Sequence, residues 1–238
     1  MSNMLPRMVT PKYDMIVPST GKSITYRPYV VKEEKLLLIA MESQDEKQIE
    51  NAVMNIIKEC IESPLDINTL TNFDVEFMFV TLRAKSVGEG IELSPKCTSC
   101  EEINVVKIDL DKISIANLED KVDTMIKLTD NISVELQWPT MKDRHLDLVD
   151  KSSETETIIN IMTSTIGTIY SGDETFITTD IPKKEVQEFV ESLSNEQFNK
   201  IVDVMAQAPY LSYEIKFDCT KCGESNSIEL NGLADFFQ

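Results

Sequence analysis

Four of the five cysteines in this chain fall in two copies of one short pattern: Cys97-Thr98-Ser99-Cys100 followed by Glu102 and Asn104, and Cys219-Thr220-Lys221-Cys222 followed by Glu224 and Asn226. In each copy an alternating apolar run follows, with Val106 and Ile108 after the first and Ile228 and Leu230 after the second. Each segment therefore reads as a tight turn holding two thiols, with a strand leading away. A CxxC knuckle puts two sulfurs on one side of a turn, and two facing knuckles supply the four ligands of a tetrahedral zinc site. Four thiolates close the coordination sphere and leave no position for water or substrate. The expected cofactor is thus a structural Zn²⁺ held by Cys97, Cys100, Cys219 and Cys222. More than a hundred residues separate Cys100 from Cys219, so such a site ties the middle of the chain to its C-terminal region and closes a long loop.

Two other readings of the pairs stay open: hairpins that persist without metal, and redox chemistry. Redox pairs open a helix in a thioredoxin-like βαβ setting, whereas these precede polar, strand-forming segments. The sequence has no secretory signal at its start and no apolar run long enough to span a bilayer, so a reducing cytoplasm is expected and stable disulfides are not. Cys60, within the apolar run Ile56, Ile57, Cys60 and Ile61, reads as a small buried hydrophobe.

At 238 residues the chain can bury a sizeable core. Twenty-three basic against 41 acidic residues give a net charge of −18, which opposes binding to phosphate backbones and anionic membranes. No basic patch with interleaved aromatics supplies phosphate contacts, so the expected partners are proteins, with no nucleic acid, membrane or small-molecule substrate. Catalytic constellations are absent: no GxSxG, phosphate loop, dinucleotide turn or HExxH occurs. The single histidine, His145, sits between Asp143 and Asp147 and reads as a surface residue on an amphipathic helix. The many carboxylates alternate with lysines and read as solvated helix faces.

Prolines at 6, 11, 18 and 28 predict an extended opening over 1–30, either a strand at a sheet edge or an arm reaching a neighbour, with β-like pieces at Met15 to Val17 and Ser23 to Tyr26. Helices are expected from Val31, with Leu36 to Ile39 and Met41 as a broad apolar face, then from Asp45 as a cap, and from Phe73 to Val87, ended by Gly88. Strands are expected at Met125 to Leu128 and Ile132 to Trp138 about an Asp130-Asn131 turn. Further helices are expected at Met141 to Val149, Glu154 to Tyr170, Lys183 to Leu193 and Asn195 to Gln207, with Ser194 as a cap. The expected architecture is a single α+β domain over 1–238, with small antiparallel sheets that include a zinc-ribbon-like sheet from hairpins at 91–110 and 213–231. The ending, with Leu233, Phe236 and Phe237, either docks on the core or is offered to a partner.

The opening MSNMLPRMVTPKYDMIVPSTGKSITYRPYVVKEEKLLLIAMES, the stretch FDVEFMFVTLRAKSVGEGIEL, the two knuckles and the ending IELNGLADFF together resemble the baseplate hub assembly proteins of T4-like bacteriophages over nearly the whole chain. Most characteristic are TYRPYVVKEEKLLLIA, LRAKSVGE and the paired CxxC hairpins. The resemblance implies a late tail protein made in the infected bacterial cytoplasm. Such a protein helps build, as a chaperone, or forms part of, as a virion component, the central hub of the contractile tail baseplate, by contact with other hub proteins and without enzymatic activity. The alternative is a zinc-ribbon nucleic-acid-binding or transcription-linked adaptor, and the third reading is an enzyme using acidic residues.

Overall fold

Proline fixes φ and withholds an N–H, and the opening of the chain, with Pro11 and Pro18, forms an antiparallel hairpin, β1 (Tyr13–Ile16) and β2 (Ser23–Tyr26). The computed structural model describes residues 8–118, 122–142 and 154–232. Helices α1 (Val31–Glu42), α2 (Glu46–Cys60) and α3 (Asn72–Val87) follow. Met15, Val17, Ile24 and Tyr26 of the hairpin region are buried. Backbone bonds from Arg27 N–H to the Cys60 carbonyl (3.0 Å) and from Glu62 N–H to the Thr25 carbonyl (2.9 Å) fasten it to the end of α2. Asp45 caps α2 as expected, accepting from the N–H groups of Lys47 (2.9 Å) and Gln48 (3.2 Å). Val53, Ile56, Ile57 and Cys60 turn inward from that helix, and burial pushes the Cys60 thiol up to about 11, the state of an inert core residue.

The expectation for α1 is corrected. Four consecutive apolar residues, Leu36 to Ile39, are spread right round a helix that advances about 100° per residue, so they cannot share one face. Only Leu37, with Ala40 and Glu33, is buried, whereas Leu36, Leu38 and Ile39 are exposed. Glu33 is tolerated inside because both oxygens are satisfied: Oε1 accepts from Arg27 Nη2 (3.0 Å) and Oε2 from Val30 N–H (2.9 Å). Burial pushes this carboxyl up, but the Val30 N–H and the Arg27 guanidinium outweigh it and hold the group below its usual 4.5.

After α3 come β3 (Gly90–Leu93), β4 (Val106–Asp109) and β5 (Ser114–Ala116). The chain divides into two compact units, and the second, Asn68–Asn72 with Asn117–Tyr210, is inserted in sequence into the first, which comprises Met1–Ile67, Phe73–Ala116 and Leu211–Gln238. The second unit is a four-stranded antiparallel sheet in the order β6 (Met125–Lys127), β7 (Ile132–Leu136), β8 (Ile166–Ser171), β9 (Glu174–Ile177). Its helices are α4 (Glu154–Thr165), α5 (Lys183–Glu191) and α6 (Asn195–Met205). Ile126, Val134, Leu136, Met162, Ile166, Ile169, Val190 and Ile201 form its core. Ser194 and Gln197 make the reciprocal cap that opens α6.

Here two further expectations are corrected. The helix read as Glu154 to Tyr170 stops at Thr165, and the next six residues form β8. Gly167 disfavours helix, and Ile166, Thr168, Ile169 and Tyr170 suit a pleated surface, where Ile169 pairs with Val134 on one side and Phe176 on the other. Gly172 at φ +58 makes the two-residue turn into β9, a strand the sequence reading omitted. Strand β7 also ends at Leu136 rather than Trp138. Of the expected helix Met141 to Val149, the part beyond Lys142, with His145, lies outside the described residues, as does the ending Leu233 to Gln238.

The chain returns to the first unit as the hairpin β10 (Tyr210–Asp218) and β11 (Ser225–Asn231), whose register sets Tyr213 against Leu230 and Ile215 against Ile228. With β5 these strands form a three-stranded sheet in the order β11-β10-β5, while β3 and β4 form a separate hairpin. Val80 and Ala84 of α3 pack with Leu93, Ile108, Leu110, Leu211, Ile215 and Leu230 in one core cluster. That shared core aims both hairpins at a common point. The architecture is α+β, with six helices and small antiparallel sheets among the described residues.

The buried Glu33 gives a stability prediction. Glu33→Gln should cost about 1–3 kcal/mol at neutral pH, by loss of charge-assisted bonds. A carboxyl whose folded pKa lies below its unfolded value stabilises fully above the unfolded value, and loses that contribution as pH falls through the folded one. Urea unfolding of both proteins should therefore show a gap at pH 7 that narrows once the pH drops below about 4.5.

Candidate metal centre

Each CxxC turn sits at the tip of one hairpin, Cys97 and Cys100 between β3 and β4, Cys219 and Cys222 between β10 and β11. The two turns are built alike. Cys97 N–H bonds the Glu102 carbonyl (2.8 Å) and Glu101 N–H the Cys97 carbonyl (3.0 Å); Cys219 N–H bonds the Glu224 carbonyl (2.8 Å) and Gly223 N–H the Cys219 carbonyl (2.9 Å). The residue after the second cysteine is left-handed in both, Glu101 at φ +58 and Gly223 at φ +74. Only the second copy uses the residue that adopts this conformation without strain.

A reciprocal pair of asparagines joins the knuckles. Asn104 Oδ1 accepts from Thr220 N–H (2.9 Å) and Thr220 Oγ1 (3.0 Å), while its Nδ2 donates to the Glu102 carbonyl (2.9 Å) and to Cys219 Sγ (3.8 Å). Asn226 mirrors it: Oδ1 accepts from Thr98 N–H (2.9 Å) and Thr98 Oγ1 (2.9 Å), and Nδ2 donates to the Glu224 carbonyl (2.8 Å) and to Cys97 Sγ (3.6 Å). Both asparagines are buried, and each uses its donors and its acceptor in full. Sequence reasoning assigned them no role. The signal that could have found them is their equal offset, each the fourth residue after the second cysteine of its copy. Lys221 adds an ion pair to Glu102 across the knuckles (2.8 Å).

The four cysteines singled out in the sequence are thereby brought together, their ligand atoms all within 4.8 Å of one another. Across the knuckles Cys97 Sγ lies 3.7 Å from Cys222 Sγ and Cys100 Sγ 3.6 Å from Cys219 Sγ. Four sulfurs about 2.3 Å from one centre at tetrahedral angles lie about 3.8 Å apart, so this donor set fits a zinc-sized thiophilic ion.

The local dipoles favour thiolate at two of the four. Backbone N–H groups of Cys222 and Lys221 hold the Cys219 thiol down at about 6. At Cys97 burial pushes up, but the N–H groups of Cys100 and Ser99 and the Asn226 amide outweigh it and the net shift is downward. Cys222 moves the other way: the Glu224 N–H pulls it down, yet the neighbouring Cys100 thiol and burial prevail and raise it to about 12. Cys100 is raised as well, so the four sulfurs pull in opposite directions, because negative charge on one disfavours it on its neighbours. A bound dication removes that competition.

The fold and site define a class, an α+β protein whose distant segments converge on a four-cysteine cluster that could hold a metal ion. The chain matches the family described as T4 bacteriophage base plate protein over residues 10–238. It belongs to that family. No curated protein and no solved structure matches it.

The knuckle geometry makes two predictions. Asn104→Ala and Asn226→Ala should each lower stability by about 1–2 kcal/mol, since each removes a buried amide that accepts from a threonine N–H and hydroxyl of the opposite knuckle. Glu101→Gly should raise the melting temperature by relieving left-handed strain of about 1 kcal/mol, whereas Gly223→Ala should lower it. Thermal unfolding of the four variants reads both.

Proposed function

We propose that this chain is a non-enzymatic component or assembly factor of the contractile-tail baseplate hub, acting in the host cytoplasm during assembly by contact with other hub proteins. Cys97, Cys100, Cys219 and Cys222 hold one structural Zn²⁺. The observation that carries the reading is the family match across residues 10–238, and the converging cysteines support the metal. Four thiolates would fill the tetrahedral sphere, so the metal would braced the fold rather than activate water. The net charge of −18 supports protein rather than nucleic-acid partners. Among the described residues no helix is long and apolar enough to cross a membrane.

Elemental analysis of protein purified under reducing conditions without chelator should give about one zinc per chain, and Cys97→Ser or Cys222→Ser should abolish it. Less than about a tenth of an equivalent in fresh wild-type protein would remove the metal from the account. Affinity capture of the tagged chain from infected cells should retain baseplate proteins, and a low-salt gel shift should show no DNA or RNA binding. A clear shift would favour the nucleic-acid adaptor.

A further inference from the structure

Helix α1 carries apolar residues round its whole circumference, and among the described residues one side of it, with Glu33, Leu37 and Ala40, is buried. Val31 (77% exposed), Leu36 (52%), Leu38 (53%) and Ile39 (52%) face outward. Single exposed apolar residues are ordinary, but a contiguous stripe marks an interaction surface. At about 100° per residue, Lys35, Leu38 and Glu42 fall within about 60° of one another, with Ile39 beside them, and these four form one exposed side of the C-terminal part of the helix, residues 35–42. Lys35 and Glu42 are exposed, and no ion pair among the described residues uses either.

We propose that this face docks on the same face of a second copy of the chain, α1 against α1, antiparallel about a two-fold axis between Leu38 and Ile39. The charges argue for a self-contact. Lys35 and Glu42 lie equally far from that axis, about 5 Å on either side at 1.5 Å per residue. An antiparallel partner therefore sets each Lys35 opposite Glu42 of the other copy, twice, with Leu38 meeting Ile39 at the centre. A parallel pair in register would instead set Lys35 against Lys35. The face is complementary to itself in the manner of an isologous interface. A 12-residue helix offers less than the roughly 800 Å² per partner of a standard interface, so the dimer is reversible and concentration-dependent.

Sedimentation equilibrium of the full chain, from low micromolar to near-millimolar concentration, tests this. The wild type should rise from one chain mass toward two. Lys35→Glu and Glu42→Lys should each weaken association at least about tenfold, and Leu38→Glu should abolish it, with circular dichroism confirming that these exposed-site variants fold. Mixing Lys35→Glu with Glu42→Lys should restore association, because each variant supplies the charge the other lacks. A wild type that stays at one chain mass throughout, association indifferent to Lys35→Glu, or a mixture that fails to recover would overturn the proposal.

Discussion

Two thiol-bearing turns that lie 119 positions apart at Cys100 and Cys219 must meet within a few ångströms, and the first unit is arranged around that requirement. Tethering ends so distant in sequence removes chain entropy from the unfolded state, by about 4–5 kcal/mol for a cross-link closing a loop of on the order of 100 residues. The convergence does not rest on sulfur alone. The core shared by α3, the β3-β4 hairpin and the β10-β11 hairpin brings the turns close, and Asn104 and Asn226 fix them against each other through backbone and hydroxyl bonds. The four sulfurs are then held within 4.8 Å of one another by groups that are not themselves sulfur donors, as metal sites commonly require of their surroundings.

The chain order gives this closure its consequence. Residues Asn117–Tyr210 form a second compact unit within the sequence of the first, so the strands that flank the insertion, β5 and β10, must be rejoined after it. They pair directly in the sheet β11-β10-β5, and the knuckles fasten the same two limbs a second time. A chain closed twice across its insertion can present surfaces on either unit without the insertion opening the first unit's core.

Much of this was legible because the knuckle pattern is duplicated. Cys97, Cys100, Cys219 and Cys222 announce their geometry by spacing, Asp45 and Ser194 announce their helix starts, and the inward positions of α2 follow the helical period. The α1 face was misread for an identifiable reason: a run of four apolar residues satisfies any period, so it says that a helix is apolar without saying which side is buried. The β8-β9 hairpin was hidden because Glu154 to Thr165 supplies enough helical pattern to carry the eye past Gly167, and only cross-strand pairing with β7 decides the switch. The asparagine brace was invisible for a different cause, since a side chain that bridges segments more than a hundred residues apart leaves no local trace beyond its repeated offset.

X-ray absorption at the zinc edge of the purified, reduced protein decides whether the four cysteines close a zinc site, because it reports the identity and distance of the bound atoms rather than the presence of metal alone. Four sulfur scatterers at about 2.3 Å and no nitrogen or oxygen beside the metal are expected. A first shell of mixed sulfur and lighter atoms, or one with fewer than four sulfurs, would contradict a closed site made by Cys97, Cys100, Cys219 and Cys222.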